Sequence, residues 1–233
     1  MRMRHLMAQR CSRSILQYSK TSRCLLSSLI PPRVKIVEVG PRDGLQNEPK
    51  FVETQDKITL ITKLAEAGCP VIEPTAFVSP KWVPQMADST EVMHGLTIVN
   101  GTTLSCLVPN LHGLERAIKA GCNEIAIFGS ASESFSQKNI NCSIDESMER
   151  FVQVAQAAEE HNIPLRGYIS CVLGCPYEGD ISPNKVASVA GRLAEVGCHE
   201  VSLGDTIGVG TPGSTVRMLE ATQVGNSKKG ALF

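Results

Sequence analysis

Arg42 and Asp43 stand side by side in Gly40-Pro-Arg-Asp-Gly44, just past an apolar, β-branched run. An Asp carboxylate is a hard oxygen ligand suited to Mg²⁺ or Mn²⁺. An Arg guanidinium is a fixed positive fork for a carboxylate or a developing enolate. The plainer alternative is an Arg–Asp pair in a surface turn made by Gly44. Asp205, ahead of Thr206 and Gly208, suits either proton transfer or capping of a helix. Glu73 is a further polar group at the end of an apolar run.

The elements that must position these groups are legible in three related segments. They are Leu64-Ala-Glu-Ala-Gly-Cys-Pro-Val-Ile-Glu73, Ala117-Ile-Lys-Ala-Gly-Cys-Asn-Glu-Ile-Ala126 and Leu193-Ala-Glu-Val-Gly-Cys-His-Glu-Val-Ser202. Each reads as a helix end, a glycine in the left-handed conformation, and a short buried strand. Repetition of that unit is the α/β pattern with a parallel sheet. Strands are predicted at 34–39, 71–77, 103–108, 124–128, 165–170 and 200–203. Helices are predicted at 54–67 with Thr54 as cap, at 111–120, at 143–161 with a Ser143/Glu146 capping box, and at 182–196 with Pro183 in the first turn.

Strand starts recur about every 33 residues, so a closed (β/α)₈ barrel would need roughly 260 residues. The chain has 233. Either the sheet is open, or the barrel is incomplete, with about six of eight βα units. The last residues favour the second: a helix begins near Thr211, then gives way to Gly225-Asn-Ser-Lys-Lys-Gly-Ala-Leu-Phe233, which has no helical period. The domain reading is therefore a leader at 1–30, a partial barrel at 33–220 and an irregular tail at 221–233. In a barrel, functional groups sit at the C-terminal ends of strands, where Arg42, Asp43, Gln46, Glu73, Ser202 and Asp205 all fall.

Composition narrows the function. The chain has 23 basic and 23 acidic residues and 4% aromatics. That balance argues against nucleic acid as a partner, since phosphate binding and base stacking need a basic surplus and exposed rings. No apolar run reaches the length of a membrane span. The charge is uneven, however. Residues 1–30 hold six basic residues, six serines and no acid, which predicts a mitochondrial transit peptide. The nine cysteines include no Cys-x-x-Cys pair, so neither a zinc site nor a disulfide framework is expected. Reduced thiols in the mitochondrial matrix are the simpler account.

Val34-Lys-Ile-Val-Glu-Val-Gly-Pro-Arg-Asp-Gly-Leu-Gln-Asn-Glu48 resembles the first strand and following loop of the 3-hydroxy-3-methylglutaryl-CoA lyases. Four later segments resemble the same family in the same order: Phe77-Val-Ser-Pro-Lys-Trp-Val-Pro-Gln-Met-Ala-Asp88, Lys138-Asn-Ile-Asn-Cys-Ser-Ile144, Gly174-Cys-Pro-Tyr-Glu-Gly179 and Ser202-Leu-Gly-Asp-Thr-Ile-Gly-Val-Gly-Thr-Pro-Gly213. The resemblance implies a TIM barrel that uses Mg²⁺ or Mn²⁺. It implies cleavage of 3-hydroxy-3-methylglutaryl-CoA, an acyl-CoA, to acetoacetate and acetyl-CoA in ketone-body formation and leucine breakdown. It also implies a homodimer. On this resemblance Asp43 is a metal ligand, and Arg42 stabilises the enolate of acetyl-CoA. Glu73 and Asp205 are active-site acids, and Gln46 and Ser202 lie beside the substrate. Related aldol-type acyl-CoA synthases share the Arg-Asp-Gly turn alone.

The sequence departs from that family in three places. It contains no His-x-His pair, which in the family completes the metal site. The family's Gly-rich loop with a catalytic Cys, and its later Asn ligand, are not found. Pro74 and Ala76 replace a small residue and a serine, removing a backbone donor and a hydroxyl. The expectation is a chain of lyase lineage that is inactive by itself. The alternative is a non-catalytic isoform that partners a full-length subunit.

Overall fold

A computed structural model describes residues 33–97 and 101–226. The chain divides into two units, 1–36 and 37–233, and of the first only 33–36 are described. The predicted leader at 1–30 lies outside the described residues. Every described strand and helix belongs to the second unit.

Six parallel strands form one sheet in sequential order: β1 (Val37–Glu38), β2 (Val71–Ile72), β3 (Thr103–Leu107), β4 (Glu124–Ser130), β5 (Leu165–Ser170) and β6 (Glu200–Leu203). Helices return the chain between them: α1 (Thr54–Glu66), α2 (Ser89–Gly95), α3 (Leu111–Lys119), α4 (Glu133–Ile140), α5 (Ile144–Glu160) and α6 (Pro183–Val196), with α7 (Pro212–Asn226) after β6. The result is a curled half-barrel, six βα units of a (β/α)₈ fold. Its edges are β1 and β6.

The three repeat glycines explain the spacing. Gly68, Gly121 and Gly197 take φ of 90°, 82° and 114°, where a side chain is strained. Each ends a helix and turns the chain into the next strand. Ser143 and Glu146 form the predicted capping box of α5, with Oγ accepting from Glu146 N at 3.1 Å. Thr54 is not the cap of α1. Glu53 holds that position, and the Thr54 hydroxyl donates to Asp88 at 2.8 Å.

Strand alternation divides the sheet into two faces. Ile125, Ile127, Leu165 and Ile169 pack outward with Phe151, Val154, Val189 and Leu193 into the main core. Each such side chain, fully buried, contributes about 1.5–3 kcal/mol. The inner face carries a smaller cluster of Ala76, Met86, Leu107 and Ala126, joined by Leu45, Phe128 and Tyr168.

Three expectations change. First, β2 stops at Ile72, and pairing resumes only at an isolated Ala76–Leu107 bridge, so Pro74 falls in the gap and costs no ladder bond. Second, α7 continues through residues 221–226, which were expected to be irregular. Met218 and Thr222 are buried, and Thr222 Oγ1 donates to Met218 O at 2.9 Å, so packing carries the helix past its sequence signal. Residues 227–233 lie outside the described residues. Third, Cys106 and Cys122 form a disulfide, where only reduced thiols were expected. Cys106 lies on β3 beside Ile125 of β4, and Cys122 sits in the turn entering β4. Parallel pairing thus brings their Cα atoms within 6.3 Å.

Candidate active site

Arg42 lies in a five-residue π turn, Gly40–Gly44, directly after β1. Pro41 fixes φ at the turn's second residue, and the N–H groups of Arg42 and Asp43 both return to Val39 O, at 3.1 and 2.6 Å. The turn drops the Arg42 side chain onto the neighbouring strand. There Nε and Nη2 reach Glu73 Oε2 at 2.7 and 2.6 Å, while Nη1 reaches Asp43 Oδ1 at 2.7 Å. Glu73 is fully buried and Arg42 nearly so, whereas the Asp43 side chain is more than half exposed. The guanidinium is therefore fixed between two carboxylates, one fully buried and one more than half exposed.

Glu73 keeps one oxygen unspent. Its Oε1 is buried without a hydrogen-bond partner, and so is the hydroxyl of Tyr168. Burial pushes the Tyr168 hydroxyl well above its ordinary range, and the adjacent Glu73 charge adds to that. Arg166, two residues earlier on β5, pairs with Glu200 of β6 and lies 5.4 Å from the Tyr168 ring. A line of alternating charge and hydroxyl thus runs across the inner face, from Glu200 through Arg166, Tyr168 and Glu73 to Arg42.

Ser202 pairs in register with Tyr168 and shares its face of the sheet. Gln46 sits half-buried on the 3₁₀ turn Leu45–Asn47, directly after the Arg42 turn. Asp205 follows β6, but its carboxylate is occupied by its own loop, accepting from Val209 N at 3.2 Å and Gly210 N at 2.8 Å. It makes no hydrogen bond to Arg42 or Glu73. Ala76 faces the inner apolar cluster, where a serine hydroxyl would have been buried.

Sequence reasoning missed Arg166 and Tyr168. Their signal was present in Leu165-Arg-Gly-Tyr-Ile-Ser170, which alternates apolar and polar residues in a strand otherwise expected to be apolar on both faces. It also missed the left-handed Cys171, at φ 63°, whose N–H donates to Thr206 Oγ1 at 2.7 Å and ties the end of β5 to the loop after β6. Cys175 is buried against Ser132 Oγ at 3.0 Å.

Asp43 is a hard, exposed donor, but it stands alone. Among the described residues no three His, Cys, Asp or Glu side chains come together as a metal-binding group. One carboxylate already paired with Arg42 does not make the near-octahedral shell that Mg²⁺ requires. These residues do not by themselves fit a divalent cation.

The sequence matches the HMGL-like family over residues 33–228. The chain belongs to this family. HMGL-like proteins are divalent-metal-dependent lyases. Among the family's members, mitochondrial hydroxymethylglutaryl-CoA lyase of Gallus gallus is 60% identical over 191 residues, covering 82% of this chain and 64% of that protein. The cytoplasmic 3-hydroxy-3-methylglutaryl-CoA lyase of Rattus norvegicus is 62% identical over 192 residues, covering 82% of this chain and 56% of that protein. The crystal structure of hydroxymethylglutaryl-CoA lyase from Pseudomonas aeruginosa superposes with a TM-score of 0.82 at 57% identity, over 84% of this chain and 65% of that one. The chain thus spans less than two thirds of the length of these family members.

Proposed function

We propose that this chain carries the substrate-binding and enolate-stabilising part of a 3-hydroxy-3-methylglutaryl-CoA lyase. The observation that carries the reading is the Arg42–Glu73 pair at the ends of β1 and β2, in a chain about 60% identical to such lyases. The reaction breaks a carbon–carbon bond after a tertiary alcohol gives up its proton, leaving acetoacetate and the enolate of acetyl-CoA. The negative charge moves onto the thioester oxygen. Arg42 is suited to meet that charge, because Glu73 fixes the guanidinium in advance and no reorganisation is needed as the charge develops. Asp205, at the end of β6, is the assigned proton-transfer acid, with its loop N–H groups holding its orientation. Ser202 and Gln46 are the assigned substrate contacts. The cation assigned to the family reaction is Mg²⁺ or Mn²⁺. Asp43 is the residue assigned to it as a ligand.

Titration of the purified 233-residue chain with 3-hydroxy-3-methylglutaryl-CoA tests the reading. Binding is expected in wild type and is lost in Arg42→Ala. Undiminished binding by Arg42→Ala, or none by wild type, overturns it.

A second reading is favoured by the lone Asp43: a non-catalytic chain that partners a full-length subunit. It predicts no acetoacetate from this chain. Metal-dependent acetoacetate release that Arg42→Ala abolishes would overturn it. A homodimer is the assembly we assign, to be read from sedimentation velocity. The assigned address is the mitochondrial matrix, through residues 1–30. A reporter fused to that leader should enter mitochondria, and a diffuse cytosolic signal would count against it.

A further inference from the structure

The segment 48–53 has no helix or strand of its own, yet it is held along its whole length by the loop that follows β2. Gln85, 5% exposed, spends its entire amide on this segment. Oε1 accepts from Val52 N at 2.8 Å, and Nε2 donates to Lys50 O at 2.8 Å and to Glu48 O at 3.4 Å. Gln85's own carbonyl accepts from Lys57 Nζ, a lysine 2% exposed. Lys57 also pairs with Asp88 Oδ1 at 2.8 Å, and Asp88 Oδ2 accepts from Thr54 Oγ1 at 2.8 Å. The Phe51 ring lies 4.4 Å from the Lys57 ammonium and covers it.

The turn Leu45–Asn47 rests on the 3₁₀ turn Pro84–Met86 that carries Gln85. Leu45 packs on the Met86 cluster, and Asn47 Nδ2 donates back to Asp43 O at 2.9 Å. Gln46 therefore lies between two anchors from the neighbouring βα unit: Glu73, which holds Arg42, and Gln85, which holds 48–52. A buried amide is costly unless every polar atom is used. An apolar side chain would fill the same space without fixing the course of the backbone.

We infer that Gln85 is the positioning residue of the turn that carries Gln46, acting through the backbone of 48–52 to set that edge of the acyl-CoA site. The ligand in this inference rests on the proposed function; the pinning of the turn does not.

Two measurements on the full 233-residue chain test it. Hydrogen exchange should show the Val52 amide losing protection about tenfold in Gln85→Leu, with amides of β4 and α5 unchanged. Titration with 3-hydroxy-3-methylglutaryl-CoA should show the dissociation constant rising about tenfold, the loss of roughly one buried hydrogen bond to a shifted contact. Val154→Ala, a remote core truncation in α5, should lower the melting temperature without moving the dissociation constant. Gln85→Glu keeps the shape and the acceptor for Val52 but removes both donors. It serves if the leucine variant fails to fold, and should loosen 48–50 while sparing Val52. Unchanged Val52 protection in Gln85→Leu overturns the inference. So does a loosened turn that binds the thioester as tightly as wild type. A turn that loosens in a chain whose wild type binds no thioester supports the pin and overturns the acyl-CoA assignment.

Discussion

Arg42 places two nitrogens on a single oxygen of Glu73, Nε at 2.7 Å and Nη2 at 2.6 Å, across 31 residues of sequence. The other Glu73 oxygen is left without a partner in the interior. The pair is therefore asymmetric: it immobilises the cation and leaves the anion half-satisfied. Removing the cation strands a fully buried carboxylate. Arg42→Met should cost about 3–5 kcal/mol, and the Arg42→Met/Glu73→Leu double variant should be more stable than the single one, because the stranded charge is gone. Urea unfolding of the three proteins checks this. A double variant no better than Arg42→Met would show that the pair is not the source of the loss.

The Cys106–Cys122 disulfide closes a loop with a sequence separation of 16 around α3. Closing a loop of that size restricts the unfolded chain by about 3 kcal/mol. The unfolding free energy should fall by that amount on reduction, and Cys106→Val/Cys122→Ala should no longer respond to reductant at all. Alkylation of the denatured protein followed by mass measurement should count two fewer thiols before reduction than after.

Much of the architecture could be read from local chemistry. β5 and β6 begin and end where their apolar runs do, because Gly-Cys and Asn-Ile-Pro punctuate them in the sequence. Arg42, Asp43 and Glu73 were placed correctly at strand ends, since a parallel sheet puts every such end on one side. What could not be read depends on contacts between units. The Arg42–Glu73 bond is a relation between neighbouring strands 31 residues apart. The disulfide needs the β3–β4 register, and the extension of α7 needs burial of Met218 and Thr222. Asp205 shows the reverse case. Its two alternatives, proton transfer and capping, were both open in the sequence, and the structure shows it accepting from N–H groups of its own loop.

That loop makes a demand on Gly210. A Cβ there would come within 2.7 Å of Asp205 Oδ2 and 2.5 Å of Leu173 Cδ1. Leu173 can swing away, but the Asp205 oxygen is held by the Gly210 amide itself, at 2.8 Å. Gly210→Ala should displace the carboxylate and destabilise the protein by about 1–3 kcal/mol. Gly208→Ala has open space but sits at φ 66°, so it should cost about 1 kcal/mol through backbone strain alone. The contrast is measurable by thermal unfolding. Equal losses would show that the Asp205 contact is not what excludes a side chain at Gly210.

Thr206 offers a cleaner test of the same region. Its Oγ1 is the acceptor for the Cys171 N–H, at the one left-handed residue that ends β5. Thr206→Val keeps the shape and removes the acceptor, leaving a buried donor unpaired at a cost of about 1–3 kcal/mol. Thr206→Ser keeps the acceptor and should recover most of that loss. A serine variant as unstable as the valine one would assign the effect to the lost methyl group instead.

Glu178 carries the pH dependence that the geometry supports. Its Oε1 accepts from Ser134 N at 2.7 Å and from the Ser132 hydroxyl at 2.8 Å, clasping the first turn of α4 to the loop after β5. The Ser134 N–H is the main cause that holds the carboxyl below its ordinary range; burial opposes it, and the Ser132 hydroxyl and Lys185 add to the lowering. A carboxyl depressed in the folded state contributes stability that is complete above its unfolded value, about 4.3. That contribution fades as pH falls through the lower, folded value. Wild type should therefore exceed Glu178→Gln in stability at neutral pH, and the gap should close only in acid below about pH 4. A gap that persists unchanged to pH 2 would mean that the clasp does not depend on the charge of Glu178.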